Sequence, residues 1–543
     1  MQRDLDRLSR ETFDLLVIGG GITGACIARD AALRGLSVAL VEKNDFAHAT
    51  SAHNSKLIHG GLRYLRNFEI SLVRESLRER RIWERTAPHL VSPLPFLVPV
   101  YSGGWRTRAT LAAGLTLYDF LSFDRGWLDD PAQRLPGHRW FGAKDALARE
   151  PRLDGPGLQG AFLYYDAQMY APERLAIECV LDACLNGCAA ANHLEAENLL
   201  QRAGRIEGAS VRDAMSGARF DIRAKLTILA AGPWADIFLS KALGGASQHK
   251  LIRSKGIHLV VPAMTRGDAL TVAAQHGHFF VLPWRGCSIL GTTDTAFDGL
   301  PDAVGVTEAD IEQFLGFVNA HLPSARLLRD HVRHFYAGLR PLVDDGAGDT
   351  YVASRRAELI DHRRGDGIDG LVSVIGGKWT TSRALAEKTV DLALGTLNLP
   401  AKDCSTARAR LPGGHIQRIA AFMTDARAKH GELAGIDHLA RLYGSRLEQV
   451  LALTMSQPDL ARRLGTTGDV SAQIVHGVRQ EMALTLEDAV MRRTGLGQLG
   501  DPGKKALETA AFVIAGELGW SETRKRAEID SIGHIFRTVG TQA

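Results

Sequence analysis

The sequence predicts an α/β protein with a helical C-terminal unit, on three observations. A strand–helix–strand pattern opens the chain at residues 13–42, an apolar strand pattern returns late at residues 371–375, and beyond about Asp403 the periodicity turns helical. With 543 residues, 45% of them apolar, the chain can close two or three cores rather than one.

The apolar run 13–18 reads as a strand. Gly19-Gly20-Gly21-Ile22-Thr23-Gly24 follows it, then an alanine-rich helical stretch to Arg34, then the apolar run 38–41 ending at Glu42. Gly19, Gly21 and Gly24 thus form G-x-G-x-x-G between a strand and a helix, where glycine permits the tight turn and lets a pyrophosphate approach the helix N-terminus. The acid Glu42, about twenty residues on, is placed to hold a ribose and completes a dinucleotide-binding fingerprint. The motif alone leaves FAD and NAD both open. No second copy follows a strand, so joint use of flavin and nicotinamide in this manner is not expected. Residues 222–231 and 289–291 read as strands ending in small residues, and 371–375 repeats the arrangement before Gly376 and Gly377, so one core is revisited late.

Leu411-Pro412-Gly413-Gly414 then punctuates the chain, and residues 470–493 carry Ile474, Val478, Met482 and Leu486 at helical spacing. A boundary is expected near 395–410, dividing residues 1–400 from a helical unit, 401–543, with a small core of its own.

Composition narrows the function. The formal net charge is only +4 and no basic cluster is interleaved with aromatics, so a nucleic-acid partner is not expected, while anionic substrates or an anionic membrane surface suit the balance. The six cysteines show no C-x-x-C pair, which removes the usual zinc spacing. Cys179, Cys184 and Cys188 read as the buried face of one helix rather than as a metal or redox site, and the reducing cytosol is the expected compartment. The charged first ten residues lack an apolar segment, so secretion is not expected, and no apolar run reaches spanning length. Residues 105–123 combine an apolar face, aromatics and the flanking Arg106 and Arg108. Such a segment either lies in a bilayer interface or docks on its own core or another subunit.

Several uncommon strings occur in one order along nearly the whole chain. They are Ala49-Thr50-Ser51, Ser55-Lys56-Leu57-Ile58-His59-Gly60-Gly61-Leu62-Arg63-Tyr64-Leu65, Ala231-Gly232-Pro233-Trp234 and Lys255-Gly256-Ile257-His258, followed by Gly291-Thr292-Thr293-Asp294, Gly338-Leu339-Arg340-Pro341-Leu342 and Gly376-Gly377-Lys378-Trp379-Thr380-Thr381. With residues 14–24, they make the chain resemble the aerobic, FAD-dependent glycerol-3-phosphate dehydrogenases. The resemblance implies a Rossmann-like, glutathione-reductase-type FAD domain (parts about 1–75, 160–245 and 335–400), a substrate domain on an antiparallel sheet, and an all-helical C-terminal domain. It also implies oxidation of sn-glycerol 3-phosphate, a small phosphorylated polyol, with electrons passed to membrane quinone. It tips residues 105–123 toward peripheral contact with the inner face of the cytoplasmic membrane. A homodimer is expected. For FAD it implies Gly19, Gly21, Gly24, Glu42, Thr50, Ser51, Ser55, Lys56, Leu57, Gly232, Gly376, Gly377, Lys378 and Thr380.

Flavin-dependent oxidation of a secondary alcohol needs a hydride acceptor, a group that takes the hydroxyl proton, and cations for a dianionic phosphate. Arg63 and Tyr64 follow the Gly60-Gly61 turn, where a guanidinium can clamp phosphate oxygens bidentately. Lys378 follows Gly376-Gly377 where a strand ends, so its ammonium can face flavin or phosphate, and Thr380 adds a hydroxyl. Arg340 sits among apolar residues and requires an acid, a phosphate or a developing alkoxide as partner; substrate polarisation is its expected role. His258, heading the apolar run 259–261, is the expected proton acceptor. The chain departs from the family at Asp166-Ala-Gln-Met-Tyr170-Ala-Pro-Glu173 and at His53 and Asn54, both expected near the substrate mouth, where they bear on which polyol phosphate is taken. Rival readings are a dehydrogenase of another polyol phosphate such as erythritol phosphate, an oxygen-using oxidase, and a non-catalytic FAD-binding sensor.

Overall fold

The computed structural model describes residues 1–101, 104–245, 250–274, 277–343 and 357–540, with the backbone alone at Arg66, Gly104 to Arg106 and Ala274. Its first sheet has the strand order Ala357–Asp361, Leu371–Gly376, Arg219–Leu229, Thr12–Ile18, Val38–Val41, Ala189–Ala191. All neighbours in that row run parallel except the first pair. Helices and loops cover both faces, which is why the central strands are apolar at consecutive positions, Leu15 to Val17 and Val38 to Leu40 being fully buried. The helix Ile22–Leu33 packs on them through Ala25, Ala28 and Ala31, whose small side chains permit a close approach.

The second sheet is largely antiparallel. Its long members are Val91–Val100, Gly160–Met169, Leu251–Pro262 and His334–Val343. Alternation along Leu251–Pro262 sends Ile257, Leu259 and Val261 toward the helix Glu308–His321, and Val260 toward the helices Ile70–Thr86 and Gly104–Leu121. The expected FAD parts 160–245 and 335–400 each open on a strand of this second sheet. Gly160–Met169 and His334–Val343 pair here and not in the nucleotide-binding core, and residues 289–291 form the strand Cys287–Gly291 in the same sheet. Short apolar strands of the two sheets look alike in sequence, because both are buried on both faces.

The C-terminal residues are mainly helical, with a two-residue strand pair at Arg463–Leu464 and Asp469–Val470. Only half of this unit has the separate core expected of it, around Ile474, Leu486, Leu507 and Ile514. Leu439, Leu442, Leu447 and Leu451 join the core of the first sheet. The helix anticipated over 470–493 is broken: Ser471–Glu481 ends where Met482 takes a left-handed φ of 55°, and a separate π-helical turn spans Asp488–Arg493. Cys188 lies beyond the helix Pro172–Leu185 that carries Cys179 and Cys184, and all six cysteines are free thiols. No helix among the described residues is long and apolar enough to cross a membrane.

Candidate active site

A cavity of about 1560 Å³ runs from the first glycine loop to the second sheet. That exceeds the roughly 300–1,000 Å³ typical of small-molecule pockets and leaves room for a dinucleotide with a second small molecule beside it. Gly19 adopts a φ of +110°, and a Cβ there would lie 2.5 Å from the Ala230 carbonyl oxygen. A Cβ on Gly24 would lie 1.9 Å from the Gly19 carbonyl oxygen, so this third glycine acts by letting the helix close on the strand, without itself lining the cavity. The Glu42 carboxylate accepts from the Gly20 amide at 2.6 Å and the Asn44 amide at 2.9 Å, which fixes it at the cavity wall. Ser51 Oγ accepts from the Ile22 amide at 2.8 Å at the helix start.

Most residues expected to hold the cofactor share this wall: Gly19, Gly21, Glu42, Thr50, Ser51, Ser55, Leu57, Gly232, Gly376, Gly377, Lys378 and Thr380. Lys56 does not. Its backbone takes a φ of 57°, and its ammonium turns inward to donate to the Ala52 carbonyl at 2.6 Å beneath the rings of Tyr336 and Trp284. Burial lowers the Lys56 pKa to about 8, against the opposing charge of Glu173.

At the other end of the cavity, Arg63 and Lys378 approach the same ring. The Arg63 guanidinium lies 5.2 Å from the Tyr64 centroid, and the Lys378 ammonium 4.7 Å from it. The Lys378 Nζ is buried and has no hydrogen-bond acceptor among the described residues, and burial pushes its pKa below the usual lysine range. Thr380 Oγ1 accepts from the His59 amide at 3.2 Å. The Gly60 amide donates to Asp166 at 3.1 Å, and Asp166 is neutralised in turn by Arg80 at 2.5 Å and bonded by the Tyr118 hydroxyl. A Cβ on Gly60 would sit 2.3 Å from that hydroxyl, so only glycine lets this turn settle on the network.

Arg340 also lines the cavity, and the partner its burial demands is an acid. Asp294 lies 3.6 Å away, while Arg340 donates to Ser254 Oγ at 2.9 Å and Thr292 Oγ1 at 2.8 Å. His258 is not on the wall. It is stacked on Tyr336 at 5.0 Å between ring centroids, and it reaches the cavity only through Ser55, whose Oγ is 2.8 Å from His258 Nε2. Burial, followed by the charges of Arg340, Lys56 and His53, holds the His258 imidazole far below its ordinary pKa, so it is neutral.

The two sequence departures reach the cavity only in part, through Asp166 and Asn54 among the described residues. Tyr170 and Glu173 face the C-terminal unit, Tyr170 bonded to His438 at 2.7 Å and Glu173 accepting from Gln498. His53 packs against Tyr336 instead of lining the cavity; Asn54 does line it. Sequence reasoning gave no role to His59 and Asp294, both on the cavity wall, although each lies in a string already singled out.

Comparison with known proteins agrees with this geometry. Residues 14–392 match the family model for FAD dependent oxidoreductases, and residues 404–525 match that for the C-terminal domain of alpha-glycerophosphate oxidase. The chain is 37% identical over 536 residues to a glycerol-3-phosphate dehydrogenase of Synechocystis, covering 96% of this chain and 95% of that one. It is 31% identical to the aerobic glycerol-3-phosphate dehydrogenase of Bacillus subtilis, covering 99% and 94%. The solved structure of the glycerol-3-phosphate dehydrogenase from Bacillus halodurans complexed with FAD superposes with a TM-score of 0.80 at 29% identity, over 99% of this chain and 97% of that one. A glycine-loop cavity sized for a dinucleotide, a far end that gathers Arg63, Arg340 from the second sheet and Lys378 from just past a first-sheet strand, and relatives matched from end to end lead to one conclusion: this chain belongs to the FAD-dependent glycerol-3-phosphate dehydrogenase family.

Proposed function

We propose that the protein oxidises sn-glycerol 3-phosphate to dihydroxyacetone phosphate and delivers the electrons to a membrane quinone. The observation that carries the substrate reading is the buried Lys378 ammonium, without an acceptor, at the cavity end that also holds Arg63. A phosphate dianion supplies the missing acceptors. FAD, held by the Gly19–Gly24 loop and Glu42, would supply the two-electron acceptor for the C2 hydride.

The protein's own residues then do the rest. Lys378, Arg63 and Tyr64 hold the phosphate, and Thr380 adds a donor beside them. Arg340, its charge balanced by Asp294, polarises the C2 oxygen as the hydroxyl proton leaves and the C=O bond forms. The proton passes from the substrate to Ser55 Oγ, which gives its own proton to the neutral His258. Burial keeps the His258 pKa low, and its Nδ1 has no hydrogen-bond partner among the described residues, so once the product has left, the proton returns through Ser55 Oγ to water in the cavity. His59, which lines the cavity, is a second reading for the acceptor. Loss of turnover in Ser55→Ala and His258→Asn with His59→Asn active supports the relay, and the reverse pattern assigns the role to His59.

The membrane reading is supported by one face of the molecule. Phe68 is 84% exposed, Phe120 74%, Trp127 66% and Phe123 58%. Arg74 lies 4.5 Å from the Phe123 ring and Arg81 5.6 Å from that of Trp127, as cations flank an interfacial patch. Arg108 instead covers Trp140, and the Trp105 and Arg106 side chains lie outside the described residues. Phe96, Val98, Leu111, Phe280 and the exposed Leu117 also line the cavity, an apolar set that suits a quinone. On this reading the protein sits on the inner face of the cytoplasmic membrane. Anaerobic turnover of sn-glycerol 3-phosphate with a short-chain quinone tests the acceptor. Faster turnover with oxygen and release of peroxide would replace the quinone by oxygen.

A further inference from the structure

The segment that follows Glu42 forms the cavity wall on one side and meets the C-terminal unit on the other. Its midpoint is Asp45, fully buried. Arg492 Nε donates to Asp45 at 2.6 Å, and Arg493 donates to both carboxylate oxygens, at 2.7 and 2.8 Å. Asn192 adds a fourth bond at 2.8 Å and spans the same gap by donating to the Met482 carbonyl. The neighbouring Asn44 carbonyl accepts from the His193 amide at 2.7 Å, and the His193 ring is bonded to Asp488 at 2.9 Å. Asp45, His193 and Asp488 have the makings of a metal site. Their oxygens, however, already accept from arginine and backbone donors, so the cluster is an ion-pair clamp.

Every tie from the wall reaches the π-helical turn Asp488–Arg493 or the residues just before it. On the cavity side the same segment carries the groups that meet the nucleotide. The Asn44 amide sets Glu42, the Ala47 amide donates to the Gly20 carbonyl at 3.0 Å, and Phe46 lies where a Cβ on Gly20 would strike it at 2.6 Å. We infer that Arg492 and Arg493 are positioning residues for FAD: the C-terminal unit grips Asp45 and thereby holds the ribose-binding wall in the conformation that retains the cofactor. This assigns the C-terminal unit a role beyond covering the first sheet. Neither arginine lines the large cavity, so both act through Asp45 and Glu42.

The test uses the holoenzyme and follows release of FAD on dilution by the rise in flavin fluorescence. Arg493→Lys keeps the charge but loses the bidentate grip, Arg493→Met removes both, and Asp45→Asn weakens the carboxylate. Arg174→Met is the control, because it breaks another buried pair with the C-terminal unit, the Arg174 side chain with the Glu481 carboxylate, while leaving in place the Glu481 carbonyl that accepts from Arg493 Nε at 2.9 Å. Release is expected to quicken by roughly tenfold or more in Arg493→Lys and Asp45→Asn, the size expected for losing a charge-assisted hydrogen bond. Turnover per bound flavin should stay unchanged. Arg174→Met should lower Tm yet release FAD within about threefold of the wild-type rate, since the wall keeps its grip. Should Arg493→Met fail to fold, the two conservative variants carry the test. Release at the wild-type rate in both, or equally fast release from Arg174→Met, overturns the inference.

Discussion

Replacing Lys378 with methionine is expected to weaken substrate binding while making the unliganded protein more stable. The Nζ is buried, it has no acceptor among the described residues, and it lies over the face of Tyr64 at 4.7 Å. A buried donor left unsatisfied costs about 1–3 kcal/mol, and more when charged, so methionine of similar length relieves at least that much. Against this, a phosphate oxygen loses a charge-assisted bond of about 1.5–3 kcal/mol, which corresponds to a rise in KM of roughly 10- to 150-fold. The pH dependence has a definite sign. Burial lowers the lysine pKa in the folded protein, so the unfolded chain binds the proton more readily, and wild-type stability rises as pH climbs toward the ordinary lysine value. The methionine variant lacks that slope. Steady-state kinetics with sn-glycerol 3-phosphate, and thermal melts from neutral to alkaline pH, read both halves. A KM within about threefold of wild type together with a Tm at or below it would refute the reasoning, since a 1.5 kcal/mol bond corresponds to more than tenfold. Loss of bound flavin in place of a raised KM would move Lys378 from substrate to cofactor.

Other expectations follow from the same geometry. Gly24→Ala should yield protein without flavin, because a Cβ 1.9 Å from the Gly19 carbonyl forces the helix off the loop; the flavin-to-protein absorbance ratio measures it. Glu84 is buried, neither oxygen has a hydrogen-bond partner among the described residues, and burial raises its pKa from 4.5 to about 8. Its folded-state proton is therefore held more tightly than in the unfolded chain. The stability it lends is complete below about pH 4.5 and is lost as pH rises toward about 8, at up to about 1.4 kcal/mol per pH unit. Glu84→Gln should remove this slope, so its Tm advantage over wild type should be larger at pH 8 than at pH 5. Replacing Phe120, Phe123 and Trp127 together by serine should weaken association with anionic liposomes by roughly a thousandfold or more and so abolish pelleting, as each buried aromatic adds about 1.5–3 kcal/mol to insertion. Unchanged pelleting would locate membrane contact elsewhere.

The nucleotide half of the site was legible because its signals are local. The glycine spacing, the strand before it and the acid after it lie within one stretch of chain, and Gly19 and Gly24 answer backbone constraints that any other residue would violate. The sheet assignment of residues 289–291 was not legible, because pairing between distant segments leaves no mark on a short apolar run. Lys56 and His258 show a second limit. Both sit in informative strings, yet a left-handed φ turns Lys56 inward, and strand alternation places His258 behind Ser55. The direction a side chain takes depends on tertiary register, which motif spacing does not encode. The π-helical turn that grips Asp45 was hidden in an apparently continuous helical pattern, since the break at Met482 is imposed by the packing of a buried residue with no glycine or proline to announce it.

The measurement closest to the central claim is anaerobic mixing of the purified yellow holoenzyme with sn-glycerol 3-phosphate while the oxidised flavin band is recorded. The account predicts rapid bleaching, one substrate per flavin, lost in Arg340→Met and restored to the oxidised spectrum by a quinone analogue. Intact absorbance with bound FAD present, or bleaching by another polyol phosphate alone, would contradict it.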